Sequence, residues 1–192
     1  MKKTFLLVMM LAVVSVVYAQ ENKRYGIKSG IIKLVATVGN HATNETQYFD
    51  NYGGKESVVY TTEIPGLVKY DSYIITVGDK GWTVTDNEGV KKGKEFKNPV
   101  PDLTFINPSK EVIEKYKIEE VGEETFLDRD CKIFTYEMTQ NRKICYYKVW
   151  VYKGIILKSL MKMGKRESSI VASQFDENVP VPEEVFNPGT VK

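Results

Sequence analysis

Between residues 31 and 38 the chain alternates in the manner of a strand. Ile31, Lys33, Val35 and Thr37 fall on one face, and Ile32, Leu34, Ala36 and Val38 on the other. This predicts a strand over residues 25–38, broken by Gly39-Asn40 and followed by a polar loop over residues 42–45. TQYFDNY (46–52) and residues 55–62 read as the arms of a hairpin. Gly53-Gly54 supplies the positive φ that its turn needs. Pro65-Gly66 marks another turn. Residues 70–77 then form a strand, Asp79-Lys80-Gly81 a turn, residues 82–85 the return strand and residues 86–89 its end. Short strands joined by tight turns predict an antiparallel meander, not a βαβ series.

One helix is predicted, over residues 107–116. Asn107 is placed to cap it, Pro108 suits the first helical position, and Val112, Ile113 and Tyr116 form an apolar stripe. Strand pattern then resumes at residues 125–127 and 131–138, with Asp128-Arg129-Asp130 as a turn and residues 139–142 as the next connection. ICYYKVWVYKGIIL (144–157) reads as one long strand rich in aromatic and β-branched residues, with Gly154 as a bend or bulge. Residues 160–163 and 169–173 continue the pattern. The proline-bearing VPVPEEVFNPG is expected to close the fold as an extended segment, with Val185 and Phe186 tucked in. Nine to eleven strands and one helix predict a mainly β protein. The expected form is a highly curved antiparallel sheet making a half-open barrel, with a two-sheet β-sandwich as the alternative.

The amino terminus changes where this fold is placed. Lys2 and Lys3 precede an apolar run, and Val17-Tyr18-Ala19 offers small residues at the cleavage positions. Residues 1–19 therefore read as a signal peptide, and residues 20–192 as a single domain in the periplasm or outside the cell. The apolar core is too short to span a bilayer, and no later run is long enough. Gln20 follows the cleavage point, so there is no cysteine there to be acylated. The chain has 27 basic and 25 acidic residues, and losing Lys2 and Lys3 balances them. That balance removes the usual basis for nucleic-acid binding. Lys91-Lys92-Gly93-Lys94 reads as a solvated turn.

Candidate chemistry is sparse. His41 is the sole histidine and sits in a polar loop, which provides neither a two-histidine metal site nor a catalytic triad. The acidic groups at Glu119-Glu120, Glu123-Glu124 and 128–130 read as a solvated rim. Neither catalytic residues, metal nor cofactor are expected. Cys131 and Cys145 are the two cysteines, in a compartment that permits a disulfide. A tight turn near residue 141 would set them about 20 Å apart along the ladder, so a bond between them needs a wider loop or a bulge. Tyr48, Trp82, Tyr147, Trp150 and Met161 are candidates to line an apolar cavity; packing a sheet is what such residues otherwise do.

Four phrases, in order, carry a resemblance: TQYFDNYG, GEETFLDRDCKIF, VWVYKGIILK and FDENVPVPEEVFNPG. They resemble a family of exported, Bacteroidetes-type uncharacterised proteins. That family is related in fold to the periplasmic lipoprotein carrier and the outer-membrane lipoprotein receptor (the LolA/LolB-like superfamily). The resemblance runs from about residue 25 to 188. It implies a half-open β-barrel with short covering helices, and in the carriers an interior that accepts acyl chains. The function expected is a non-enzymatic binding or carrier-like protein for a hydrophobic ligand, lipid or lipoprotein. The alternative is an envelope protein-interaction module, and an exported hydrolase ranks last. The sequence leaves the oligomeric state open.

Overall fold

The computed structural model describes residues 23–64, 68–87, 89–98, 102–140 and 142–191. The expected signal peptide and the Pro65-Gly66 turn lie outside the described residues. Six strands come first: β1 (Gly30–Val38), β2 (His41–Asp50), β3 (Lys55–Ile64), β4 (Val68–Val77), β5 (Lys80–Asn87) and β6 (Val90–Lys97). The helix α1 (Lys110–Tyr116) follows. Then come β7 (Glu119–Phe126), β8 (Arg129–Gln140), β9 (Lys143–Tyr152), β10 (Ile155–Met163), β11 (Arg166–Glu177) and β12 (Thr190–Val191).

All twelve strands belong to one sheet, in the order β12-β6-β5-β4-β3-β2-β1-β11-β10-β9-β8-β7. The sheet is curved and unclosed. The two-sheet sandwich is therefore not formed. Every pairing is antiparallel except β12 on β6. The meander runs outward twice, from β1 to β6 and from β11 back to β7, and the β1–β11 pair joins the two halves.

Several local expectations are corrected. Residues 144–157 are not one strand: Lys153-Gly154 is a two-residue hairpin turn between β9 and β10, both residues with positive φ. The aromatic and β-branched run is continuous because residues 149–151 of β9 are buried on both faces. Ile133 and Trp150 pair across β8–β9 in one cluster, while Phe134 and Val149 pair in the other. Residues 41–45 belong to β2, not to a loop, and residues 25–29 precede β1. The helix cap is Ser109, whose hydroxyl accepts from the Val112 N–H, and not Asn107. Tyr116 is buried and Val112 packs beside it, but Ile113 is exposed.

The Lys91-Lys92-Gly93-Lys94 phrase is not a turn but the middle of β6. Gly93 pairs with Val84, and a Cβ there would meet the Pro188 carbonyl oxygen at 2.9 Å. The missing side chain admits the carboxyl-terminal strap. After β11 the strap crosses the β3–β6 half of the sheet. A 3-10 turn at Glu183–Phe186 buries Phe186, Lys91 Nζ donates to the Glu184 carbonyl, and β12 adds to the edge of β6. Ile75 and Val84 are buried on the face it covers. Val185 and Phe186 are tucked in, as the sequence indicates.

Among the described residues no helix is long and apolar enough to cross a membrane.

Candidate binding groove

The connections from β1 to β2, from β8 to β9 and from β10 to β11 lie at one end of the sheet. Just inside them one row of side chains crosses five strands. Tyr136 on β8 faces Tyr147 on β9, Tyr147 faces Met161 on β10, Met161 faces Ser168 on β11, and Ser168 faces Val38 on β1. Cross-strand partners share a face of the sheet. The next row repeats the apolar character with Phe134, Val149, Ser159, Ile170 and Ala36.

Residues 102–118 cover only one side of this surface. Leu103, Phe105, Val112, Tyr116 and Ile118 pack on Phe134, Tyr136, Val149 and Val151. Asp102 ties the start of the cover to α1, accepting from Lys115 Nζ and Tyr116 Oη, each at 2.7 Å. The apolar face then continues past Tyr147 to Ile170 and Val38, which are exposed. The opposite face of the same strands carries an open groove of about 920 Å³, flanked by Thr135, Tyr146, Lys148, Leu160, Lys162 and Ser169, at the upper end of the usual range of ~300–1,000 Å³ for small-molecule sites.

Tyr136 and Tyr147 stack beneath the cover, on the face away from the groove, with ring centroids 4.6 Å apart and planes 5° from parallel. Burial first, then the neighbouring Tyr147, pushes the Tyr136 phenol well above its ordinary range. Burial also raises Tyr147. Both stay neutral there. The groove side is amphipathic. Tyr146 and Leu160 are exposed in it, and Lys117 Nζ pairs with Glu137 at 2.7 Å and Lys162 with Glu167 at 3.4 Å. Lys148 and Lys165 also line it. Apolar side chains set among charged ones suit an amphiphile.

The five candidate lining residues separate. Tyr147 and Met161 pair across β9–β10 where those strands border the groove, with Tyr146, Lys148, Leu160 and Lys162 on the groove face beside them. Tyr48 borders a separate, polar pocket of about 420 Å³ with Lys33, Glu45 and Asp71, where burial raises the Glu45 carboxyl. Trp82 lies half-buried opposite Ile75 on β4, in the other half of the sheet. Trp150 is packed in the core, its indole N–H donating to Glu124 Oε2 at 2.8 Å. Sequence reading missed Tyr136, whose alternation with Phe134 and Met138 on one face of β8 was the available signal.

No bond joins Cys131 to Cys145. Cys145 faces Met138, seven residues along β8 from Cys131, roughly 23 Å at the rise of a strand. They also pack on opposite faces, Cys131 with Ile133 and Cys145 with Tyr147. His41 is exposed at the start of β2. Among the described residues no three His, Cys, Asp or Glu side chains come together as a metal site.

No protein-family model matches the sequence, and no curated protein matches it. Solved structures do match. An uncharacterised conserved protein from Thermus thermophilus superposes with a TM-score of 0.54 at 7% identity, covering 94% of this chain and 98% of that one. A chain of the Pseudomonas aeruginosa MucA/MucB complex superposes with a TM-score of 0.51 at 11% identity, covering 89% of this chain. The protein shares their fold. It spans only 58% of the latter chain, so the likeness concerns one part of that protein. A looser match is a LolA superfamily protein from Nitrosomonas europaea, with a TM-score of 0.38 at 11% identity over 90% of this chain and 96% of that one. The half-open antiparallel architecture expected from the sequence is the one observed.

Proposed function

We propose that the protein is a non-enzymatic binding protein that works outside the cytoplasm, after loss of residues 1–19. It holds a hydrophobic ligand, an acyl chain of a lipid or lipoprotein, in the groove beside Tyr146 and Leu160. The observation that carries this reading is the open groove itself, of small-molecule size, with two large apolar side chains exposed in it. The charge balance of the mature chain argues against nucleic acid as the ligand.

The test is a titration with a fluorescent fatty acid. Saturable binding with one site per chain is expected, and Leu160→Lys weakens it at least about tenfold by placing a charge in the groove. Tyr48→Ser, in the other pocket, leaves binding unchanged. An unaltered affinity in Leu160→Lys, or no saturable binding by the parent chain, overturns the reading.

A protein partner is the second reading, an envelope interaction module using the same apolar surface. It draws on the matched chain from the MucA/MucB complex, a structure of two proteins bound together. Recovery of a stoichiometric envelope protein, displaced by Leu160→Lys but not by fatty acid, would favour it.

A further inference from the structure

Both ends of the sheet carry ion pairs. At the end away from the groove, Arg24 pairs with Glu56, Lys55 with Glu183, and both Arg129 and Lys153 reach Glu177, while Lys28, Lys80 and Lys97 are exposed with no ion pair among the described residues. At the groove end, Glu137 and Glu167 are engaged by Lys117 and Lys162. Arg142, Lys143, Lys165 and Arg166 stand at the tips of two neighbouring hairpins, exposed and with no ion pair among the described residues. Four cations thus stand together on two adjoining tips, at the same pole of the sheet as the groove.

The same pole carries exposed apolar side chains. Val38 is 63% exposed, Tyr146 51% and Ile144 47%. The β8–β9 hairpin projects furthest, since Ile144 lies three residues beyond the Tyr147 row, ~10 Å at the rise of a strand. Ile144 and Tyr146 share one face of β9, so an aliphatic and an amphipathic aromatic side chain are presented together beside Arg142 and Lys143. An aromatic ring with a polar tip, an aliphatic residue and flanking cations suit the boundary between anionic headgroups and acyl chains.

We infer that this pole docks on an anionic lipid surface, with Ile144 and Tyr146 entering the headgroup layer and Arg142, Lys143, Lys165 and Arg166 binding lipid phosphates. Docking there sets the open end of the groove against the bilayer. The inference stands on the charge and exposure of the hairpin tips, whatever the groove holds.

The experiment is co-sedimentation of the exported chain with vesicles of phosphatidylcholine, alone or with about 30% phosphatidylglycerol. Binding to the anionic vesicles is expected, with none to the neutral ones, and it falls steeply with added salt. The double reversal Arg142→Glu, Lys143→Glu weakens partitioning at least about tenfold, and Ile144→Asp weakens it at constant charge on the flanking cations. Neither change touches the groove lining. Circular dichroism reports whether each variant is folded, and the fatty-acid titration without vesicles reports the groove separately. Equal partitioning into both vesicle types, no partitioning, or partitioning that survives both variants overturns the inference while leaving the groove reading standing or falling on its own titration.

Discussion

Arg129, at the first position of β8, donates from Nε to Glu177 Oε1 at the last position of β11, 2.9 Å away. The two strands are not neighbours; β9 and β10 lie between them. Arg129 also donates to the carbonyls of Leu127 and Phe175, and its guanidinium lies over the Phe175 ring, 4.8 Å from the centroid. One side chain thus bridges two hairpins at the end opposite the groove. Arg129→Ala should cost about 2–4 kcal/mol in urea denaturation, because it strands a largely buried carboxylate and two carbonyls. Arg129→Lys should recover only part, since an ammonium lacks the planar fork.

The Lys153-Gly154 turn makes a sharper test of local geometry. Gly154 has φ of +83°, and a Cβ there would meet the Arg24 carbonyl oxygen at 2.6 Å and Ile106 Cγ1 at 2.7 Å. Gly164 also has positive φ (+62°), but nothing lies within 4 Å of its Cβ position. Gly164→Ala should therefore cost ~1 kcal/mol from backbone strain alone. Gly154→Ala should cost at least ~2 kcal/mol more, as backbone must move. Equal melting temperatures for the two variants would count against the packing described.

That turn also shows where the sequence was readable and where it was not. Gly53-Gly54 advertised its hairpin. Lys153-Gly154 did not, because strands buried on both faces leave no alternation to interrupt. The expected β8–β9 register was one residue off, which put Cys145 opposite Glu137 and so Tyr147 opposite Thr135. The observed register sets Tyr147 against Tyr136 instead. A one-residue slip moves every side chain to the other face. Met161 and Tyr147 could be nominated by residue type, but neither the face they share with Tyr136 nor the groove face of Tyr146 and Leu160 could be assembled. Curvature and cover come from long-range packing of residues 102–118, whose composition says little by itself.

Acid should loosen the cover over Tyr136. Burial tends to raise the Asp102 carboxyl, but hydrogen bonds from Lys115 and Tyr116 outweigh it and leave the group below its ordinary range. A lowered carboxylate contributes stability above its unfolded pKa, ~3.9, and loses it as pH falls through the lower folded value. The stability gap between the parent and Asp102→Asn should be present at neutral pH and close at strongly acid pH. The contribution is small because the pair is largely solvated. Urea midpoints across that range check it.

Alkali should act on the other side. Tyr25 and Tyr136 are buried, and burial is the main reason that both phenols are pushed far up. A raised folded pKa gives stability that is complete below the unfolded tyrosine value, ~10, and declines above it. Phenolate absorbance should therefore rise in two stages: exposed tyrosines first, then a cooperative step coincident with loss of circular dichroism. A single smooth titration of all tyrosines would contradict the burial.

Both cysteines should resist chemistry until the fold opens. Cys131 and Cys145 are buried, and burial raises the Cys131 thiol. Alkylation of exported protein should add no label in native buffer and two labels in denaturant, read by intact mass. A mass two hydrogens lighter, resistant to alkylation after unfolding, would show a disulfide that this geometry forbids.

The strap that packs Phe186 and Pro188 over β3–β6 has a consequence for the order in which the chain matures. Its segment is the last of the described residues to be synthesised and, on the proposed route, the last to emerge across the membrane. Yet it covers the face bearing Ile75 and Val84, which emerges in the first half of the chain. That face must therefore wait, bare of its cover, while about a hundred residues follow it. The early meander is a natural client for a holding chaperone, and stalling translocation short of residue 186 should leave it open to protease although six strands are already outside.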